Sequence, residues 1–181
     1  MGLSGILFNP QGRISPSEFW RGAIILIGAS IVFGVVSAYS SIAVSSILTL
    51  ASFLMIYPMI CVYGKRFHDN GRTAWLVIVV FLVGGVIYLV SSSVLLPIMA
   101  PEVAAFQEEL AEQAANGEIG FADIMERSRE MSTDGPVLML GIVVTLITSL
   151  LPAFFVARLE SDPDENEHGM PTSGAAADTF S

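Results

Sequence analysis

The chain has 181 residues, of which 53% are hydrophobic and 14% charged, and its formal net charge is -9. Soluble domains carry roughly 25% charged residues, so this composition excludes an ordinary soluble fold. The few basic residues form no dense Lys/Arg run, which excludes a nucleic-acid surface. The single cysteine, Cys61, excludes an intramolecular disulfide framework and reads as a small buried apolar side chain.

Residues 1–8 show no basic n-region, and the first long apolar run starts only after Arg21, so the first span is itself read as the insertion signal. Ser15-Pro16-Ser17-Glu18 fits a capping box, with Ser15 as N-cap, Pro16 at the first helical position and Glu18 at the third. Phe19 and Trp20 follow, at an interface. Residues 22–64 hold no Asp, Glu, Lys or Arg, about twice the ~20 residues that cross a bilayer. The run must fold back, and the serine-rich stretch 39–46 is the natural break. This predicts spans over 20–40 and 45–64, a third over 74–98 that frays near Pro97, and a fourth over 136–157. Ser30, Gly34 and Ala38 recur at four-residue spacing, the mark of a close helix contact, read as internal rather than as a dimer face. Pro58 and Pro152 each remove a backbone hydrogen bond and kink their helices. No Asp, Glu, Lys, Arg or His lies mid-span, which argues against ion-coupled transport.

Between the third and fourth spans, residues 101–135 are acidic. Val103, Phe106, Leu110 and Ala114 recur at helical spacing, Gly117 and Gly120 interrupt, and Phe121, Ile124, Met125 and Ser128 suggest a second short helix. The carboxylates read as a solvated face, since no loop alternates acids with a glycine turn as a cation site requires. No metal and no cofactor is expected.

Lys and Arg near span ends set orientation. Arg13, Arg21, Lys65, Arg66, Arg72 and Arg158 fall on one side of a four-span chain, and Arg127 and Arg129 on the other. The expectation is an all-α integral membrane protein. It is a four-transmembrane-helix bundle with N and C termini cytoplasmic and a short helical acidic outer loop. Residues 1–160 form the membrane domain and 161–181 a cytoplasmic tail, largely disordered at its end. Trp20, Trp75, Phe154 and Phe155 then lie at the inner interface.

The most distinctive segment is Lys65-Arg66-Phe67-His68-Asp69-Asn70-Gly71-Arg72-Thr73, a polar knot between two uncharged runs that reads as a short turn at the membrane surface. Asn70-Gly71 is a turn pair tolerant of positive φ. Thr73 can N-cap the third span, with Trp75 in its first turn. Asp69 is placed to accept from turn amides or to pair with an arginine. His68 titrates near neutral pH in ordinary surroundings, and the only other histidine, His168, is remote in sequence.

Gly12-Arg13-Ile14-Ser15 with Glu18-Phe19-Trp20, the run from Arg66 through Trp75, and Glu165-Asn166-Glu167-His168-Gly169-Met170-Pro171 together resemble the bacterial inner-membrane family called domain of unknown function 805. The resemblance covers most of residues 5–171 and implies a multi-pass inner-membrane location and no reaction. In compact members the Asn-x-x-Gly tail closely follows the third hydrophobic segment. Here an acidic loop and a further span intervene, and His168 stands where members carry an aromatic or basic residue.

Three functions stay open. The preferred one is a non-enzymatic membrane protein whose Arg13, Arg21, Lys65, Arg66 and Arg72 meet anionic phospholipid head groups, a membrane partner or a second copy. Another is a small transporter or channel subunit. The third is a membrane-surface enzyme with His68 as acid/base oriented by Asp69 and Arg66 or Arg72 on a phosphate, although no nucleophile is evident. A structural reading underlies all three: Arg13, Glu18, Arg21, Arg66, Asp69 and Arg72 neutralise one another and tie the N-terminal segment to the knot.

Overall fold

The computed structural model describes residues 1–131 and 133–172, with backbone alone at 121, 122, 125, 129 and 130. The side chains of Phe121, Met125 and Arg129 and the end of the tail lie outside the described residues. Among those described there are eight helices and no strand: α1 (Leu3–Phe8), α2 (Pro16–Tyr39), α3 (Ile42–Leu54), α4 (Ile56–Asp69), α5 (Leu76–Met99), α6 (Pro101–Ala115), α7 (Phe121–Met131) and α8 (Gly135–Ala157). Four stretches are long and apolar enough to cross a membrane: α2, α3 with α4 (Ile42–Asp69), α5 and α8. The architecture is that of a multi-pass membrane protein. Helices are the expected solution, because each satisfies its own backbone groups where water is absent.

The local rules explain most element ends. The capping box at Ser15 and Glu18 is complete and Pro16 opens α2. Ser41 accepts from the Val44 N–H and starts α3. The stretch expected as one helix over 45–64 is two, broken at Met55. Pro58 has no N–H for the Leu54 carbonyl and its ring crowds that carbonyl, so the chain turns once before resuming. Nor is the knot a nine-residue turn. Lys65 to Asp69 continue α4, since nothing breaks the helix before Asn70-Gly71. Gly71 then takes φ +68, which its missing Cβ permits. Thr73 does not cap α5 directly. Its hydroxyl accepts from the Trp75 N–H at 3.4 Å in a leading turn, and α5 begins at Leu76. Pro97 stays inside α5, which runs on to Met99.

The packed core sits at one end of the bundle, called here the knot end. Ile6, Ile14, Phe19, Ala23, Val62, Tyr63, Phe67, Val77, Ala153 and Val156 are buried together there. They come from the start of α2 and α5, the finish of α4 and α8, and the N-terminal segment. Phe19 meets Tyr63 edge-on, ring centroids 5.1 Å apart. Gly22 is the close-approach residue: a Cβ there would lie 2.8 Å from Val62 and 3.0 Å from Ile6.

At the opposite end α3 buries no side chain, and a cleft of about 550 Å³ opens between α2, α3 and α8. Ser30, Gly34 and Ala38 line this cleft. They do not form the internal helix contact expected of them, and a Cβ on Gly34 would meet nothing within 4 Å. Two of the cleft hydroxyls are satisfied within their own helices, Ser30 on the Leu26 carbonyl at 2.9 Å and Thr145 on the Gly141 carbonyl at 2.8 Å. That suits a surface facing hydrocarbon.

Candidate functional site

The knot and its surroundings hold the densest polar chemistry of the chain. Arg13, Lys65, Arg66 and Asp69 are all buried. The sequence motifs therefore meet in space, but mostly inside the protein rather than on its surface.

Asp69 is the centre. Its Oδ1 accepts from Arg13 Nε at 3.2 Å and from the Thr172 hydroxyl at 2.5 Å. Its Oδ2 accepts from Arg66 Nη1 and from the Ser161 hydroxyl. The Asp69 carbonyl accepts from Arg13 Nη2 at 3.2 Å and from the Asp162 N–H at 2.7 Å. A buried carboxylate is tolerated when it is paired and hydrogen-bonded in this way.

Arg13 uses every donor of its guanidinium. Beyond Asp69 it reaches the carbonyls of Asp162, Asp164 and Gly169, the latter two at 2.8 and 3.2 Å. A fork of five donors fits this set of acceptors, and an ammonium with three would not.

Lys65 and Arg66 explain why basic residues sit at the end of α4. Each caps the C-terminus of another helix, where carbonyls lack partners and carry partial negative charge. Lys65 Nζ donates to the Gly5 and Ile6 carbonyls of α1, the second at 2.9 Å. Arg66 Nη2 donates to the Ala157 carbonyl ending α8 at 3.1 Å, and to Leu159 just past it. Tyr57 adds a bond to the Phe8 carbonyl at 3.0 Å. Three buried cations are thus balanced by one anion together with helix-end and tail carbonyls.

The tail after α8 folds back over the knot. Asn70 Nδ2 donates to the Glu160 carbonyl at 2.5 Å. Asn166 Nδ2 donates to the His68 carbonyl at 3.2 Å and to Asp162 Oδ2 at 2.9 Å. Asn166 and Gly169 close a tight turn through paired backbone bonds. The His168 ring stacks on His68, centroids 3.6 Å apart and planes 9° from parallel. His68 Nδ1 lies 3.2 Å from the Gly12 carbonyl, so the ring faces the N-terminal segment and the tail rather than its neighbour Asp69. The Asp162 carboxyl is held below its ordinary value by the Asn166 amide first and the Asp164 N–H second.

The sequence-level candidates thus divide. Arg13, Lys65, Arg66 and Asp69 are enclosed, whereas Arg21 and Arg72 are exposed. Of the five basic groups expected to meet head groups, three are occupied inside the protein. Ser15 and Glu18 are occupied in the α2 cap. Trp75 is exposed beside the turn, and Trp20 packs against the edge of the core. Ser161, Asp162 and Thr172 also carry part of the cluster, and no motif in the sequence singles them out. Their only sequence signal is that they flank the Asn166 turn. Among the described residues no group of three or more His, Cys, Asp or Glu could hold a metal ion.

A family model described as "Protein of unknown function (DUF805)" matches residues 7–102, just over half of the chain. Neither a curated protein nor a solved structure matches. The matched segment contains Arg13, the Ser15 capping box and the whole knot through Trp75. The chain belongs to the DUF805 family.

Proposed function

We propose that the chain is a non-enzymatic multi-pass protein of the bacterial inner membrane, with the knot and both termini at the cytoplasmic face. Its exposed Arg21, Arg72 and Arg158 sit among anionic phospholipid head groups, while the buried cluster holds the N-terminal segment and the tail in place. The observation that carries this reading is the division of the basic residues. Those with backbone or carboxylate partners are enclosed, and those at the rim of the same end are exposed. Arg158 lies over the Phe154 ring at 4.3 Å, an arrangement suited to an interface where aromatic and basic side chains gather. Each exposed basic group near an anionic leaflet contributes roughly 1 kcal/mol.

The geometry gives the enzymatic alternative little support. Both carboxylate oxygens of Asp69 are taken up, and the His68 ring turns to the Gly12 carbonyl. For the transport alternative, the 550 Å³ cleft at the far end is lined by none of the residues of the knot-end core, which Phe19, Tyr63 and Phe67 fill.

The test is to extract the protein with its surrounding lipid in polymer nanodiscs and measure the ratio of phosphatidylglycerol to phosphatidylethanolamine. The ratio should exceed that of the bulk membrane and fall back to it when Arg21, Arg72 and Arg158 are all changed to Gln. A ratio equal to bulk in the unmodified protein contradicts the reading. A reporter fused after Ser181 should be active in the cytoplasm.

A further inference from the structure

We infer that the groove between α5 and α8 at the knot end is a specific seat for one anionic phospholipid, its phosphate on Arg72 and an acyl chain along the groove. The inference rests on the reading of the exposed basic rim given above and sharpens it to a single site.

The groove has a volume of about 310 Å³, near the lower bound of small-molecule sites, about 300 Å³. Leu76, Val79 and Val83 of α5 form one wall, and Pro152 and Phe155 of α8 the other. The α5 residues lie on one helical face, and their span of seven residues rises about 10 Å. Half of the ~30 Å hydrocarbon core is about 15 Å, so the groove stays within one leaflet. Its inner end is marked by Gly84 and Thr148, where a Cβ on the glycine would lie 3.9 Å from the Thr148 methyl. Pro152 leaves the Thr148 carbonyl without its usual helical donor, at the level where the groove ends.

At the mouth stands Arg72. It is exposed, and its guanidinium has no side-chain or carbonyl partner among the described residues. The contrast with Arg13 and Arg66 is direct, since those are committed to acceptors inside the protein. An apolar wall about 10 Å long, set within one leaflet, closed at its inner end and carrying one uncommitted cation at the head-group level, complements an amphiphile with an anionic head. A guanidinium offers a planar pair of donors to a phosphate. A partner transmembrane helix would need a matching face running across both leaflets, which this groove does not offer.

The experiment is native mass spectrometry of the delipidated full chain in mild detergent, titrated with phosphatidylglycerol and separately with phosphatidylethanolamine. One tight phosphatidylglycerol adduct should form first, well ahead of phosphatidylethanolamine. Arg72→Gln should lower its affinity about fivefold, the factor corresponding to ~1 kcal/mol for one basic group at an anionic surface. Val79→Trp should fill the groove and lower it with Arg72 intact. Arg21→Gln should lower the affinity of the first adduct less than Arg72→Gln does. Arg72 has no internal partner and Val79 is half exposed, so neither change disturbs the fold. Equal losses from Arg21→Gln and Arg72→Gln overturn the site and leave the general rim reading standing. A first adduct with no preference for phosphatidylglycerol also overturns the site, and the nanodisc ratio reports separately on the rim. A polypeptide adduct that Val79→Trp displaces assigns the groove to a protein partner and overturns the lipid.

Discussion

Arg13 and Asp69 are 56 residues apart in sequence and meet inside the protein, with Arg13 Nε 3.2 Å from Asp69 Oδ1. Around this pair the N-terminal segment, the end of α4 and the tail after α8 become one body. Removing one member of a buried pair leaves the other charged and unpaired, which costs about 3–5 kcal/mol. Asp69→Ala should lower stability by that amount in a detergent unfolding titration. Arg13→Lys should cost about 2 kcal/mol or more despite keeping the charge, because several charge-assisted bonds are lost.

Lys65 acts on a different neighbour. Lys65→Met should unfasten α1 at a cost of about 1–2 kcal/mol, the upper part of the range for a cation at a helix C-terminus. Hydrogen exchange should quicken at residues 3–8 while the Asp162 amide, held by Asp69, stays slow.

The tail is held partly by ring stacking. His168→Ala should loosen the turn at 166–169 by about 1 kcal/mol, and His168→Phe should retain most of the protection. Proteolysis rates of the tail in intact protein distinguish the two.

Asp162 gives the tail an acid limit. Its carboxyl titrates below the ordinary 3.8. A depressed folded-state value stabilises above the unfolded value and is lost as pH falls through the folded one. Tail protection due to this group should therefore be constant at neutral and mildly acidic pH and decline only below 3.8. Asp162→Asn should abolish that acid step.

Gly22 tests the packing of the core. Gly22→Val would force side-chain atoms into Val62 and Ile6, since a Cβ alone would already sit 2.8 Å from Val62. Overpacking of this kind costs about 1–3 kcal/mol, and the thermal unfolding midpoint should fall accordingly.

Local features were legible in the sequence because their causes are local. Apolar length marked four membrane-crossing stretches, Ser15 and Glu18 marked the start of α2, and Asn70-Gly71 marked the turn. The site was less legible because its partners are remote. The acceptors of Arg13 belong to residues 69, 162, 164 and 169, and most are backbone carbonyls, which no residue type announces. Lys65 and Arg66 look like surface charges beside an apolar run. Only the docking of α1 and the end of α8 onto α4 turns them into helix caps. The Met55 break is hidden for a related reason: Pro58 marks a kink in the sequence, and the helix breaks three residues before it.

The knot is a closed structural clasp binding the tail, and hydrogen exchange of the full chain in liposomes tests this most directly. The Asp162 amide, bonded to the Asp69 carbonyl at 2.7 Å, should exchange as slowly as the end of α4 in the unmodified protein and become fast in Asp69→Asn. Rapid exchange of residues 159–172 in the unmodified protein would contradict the claim.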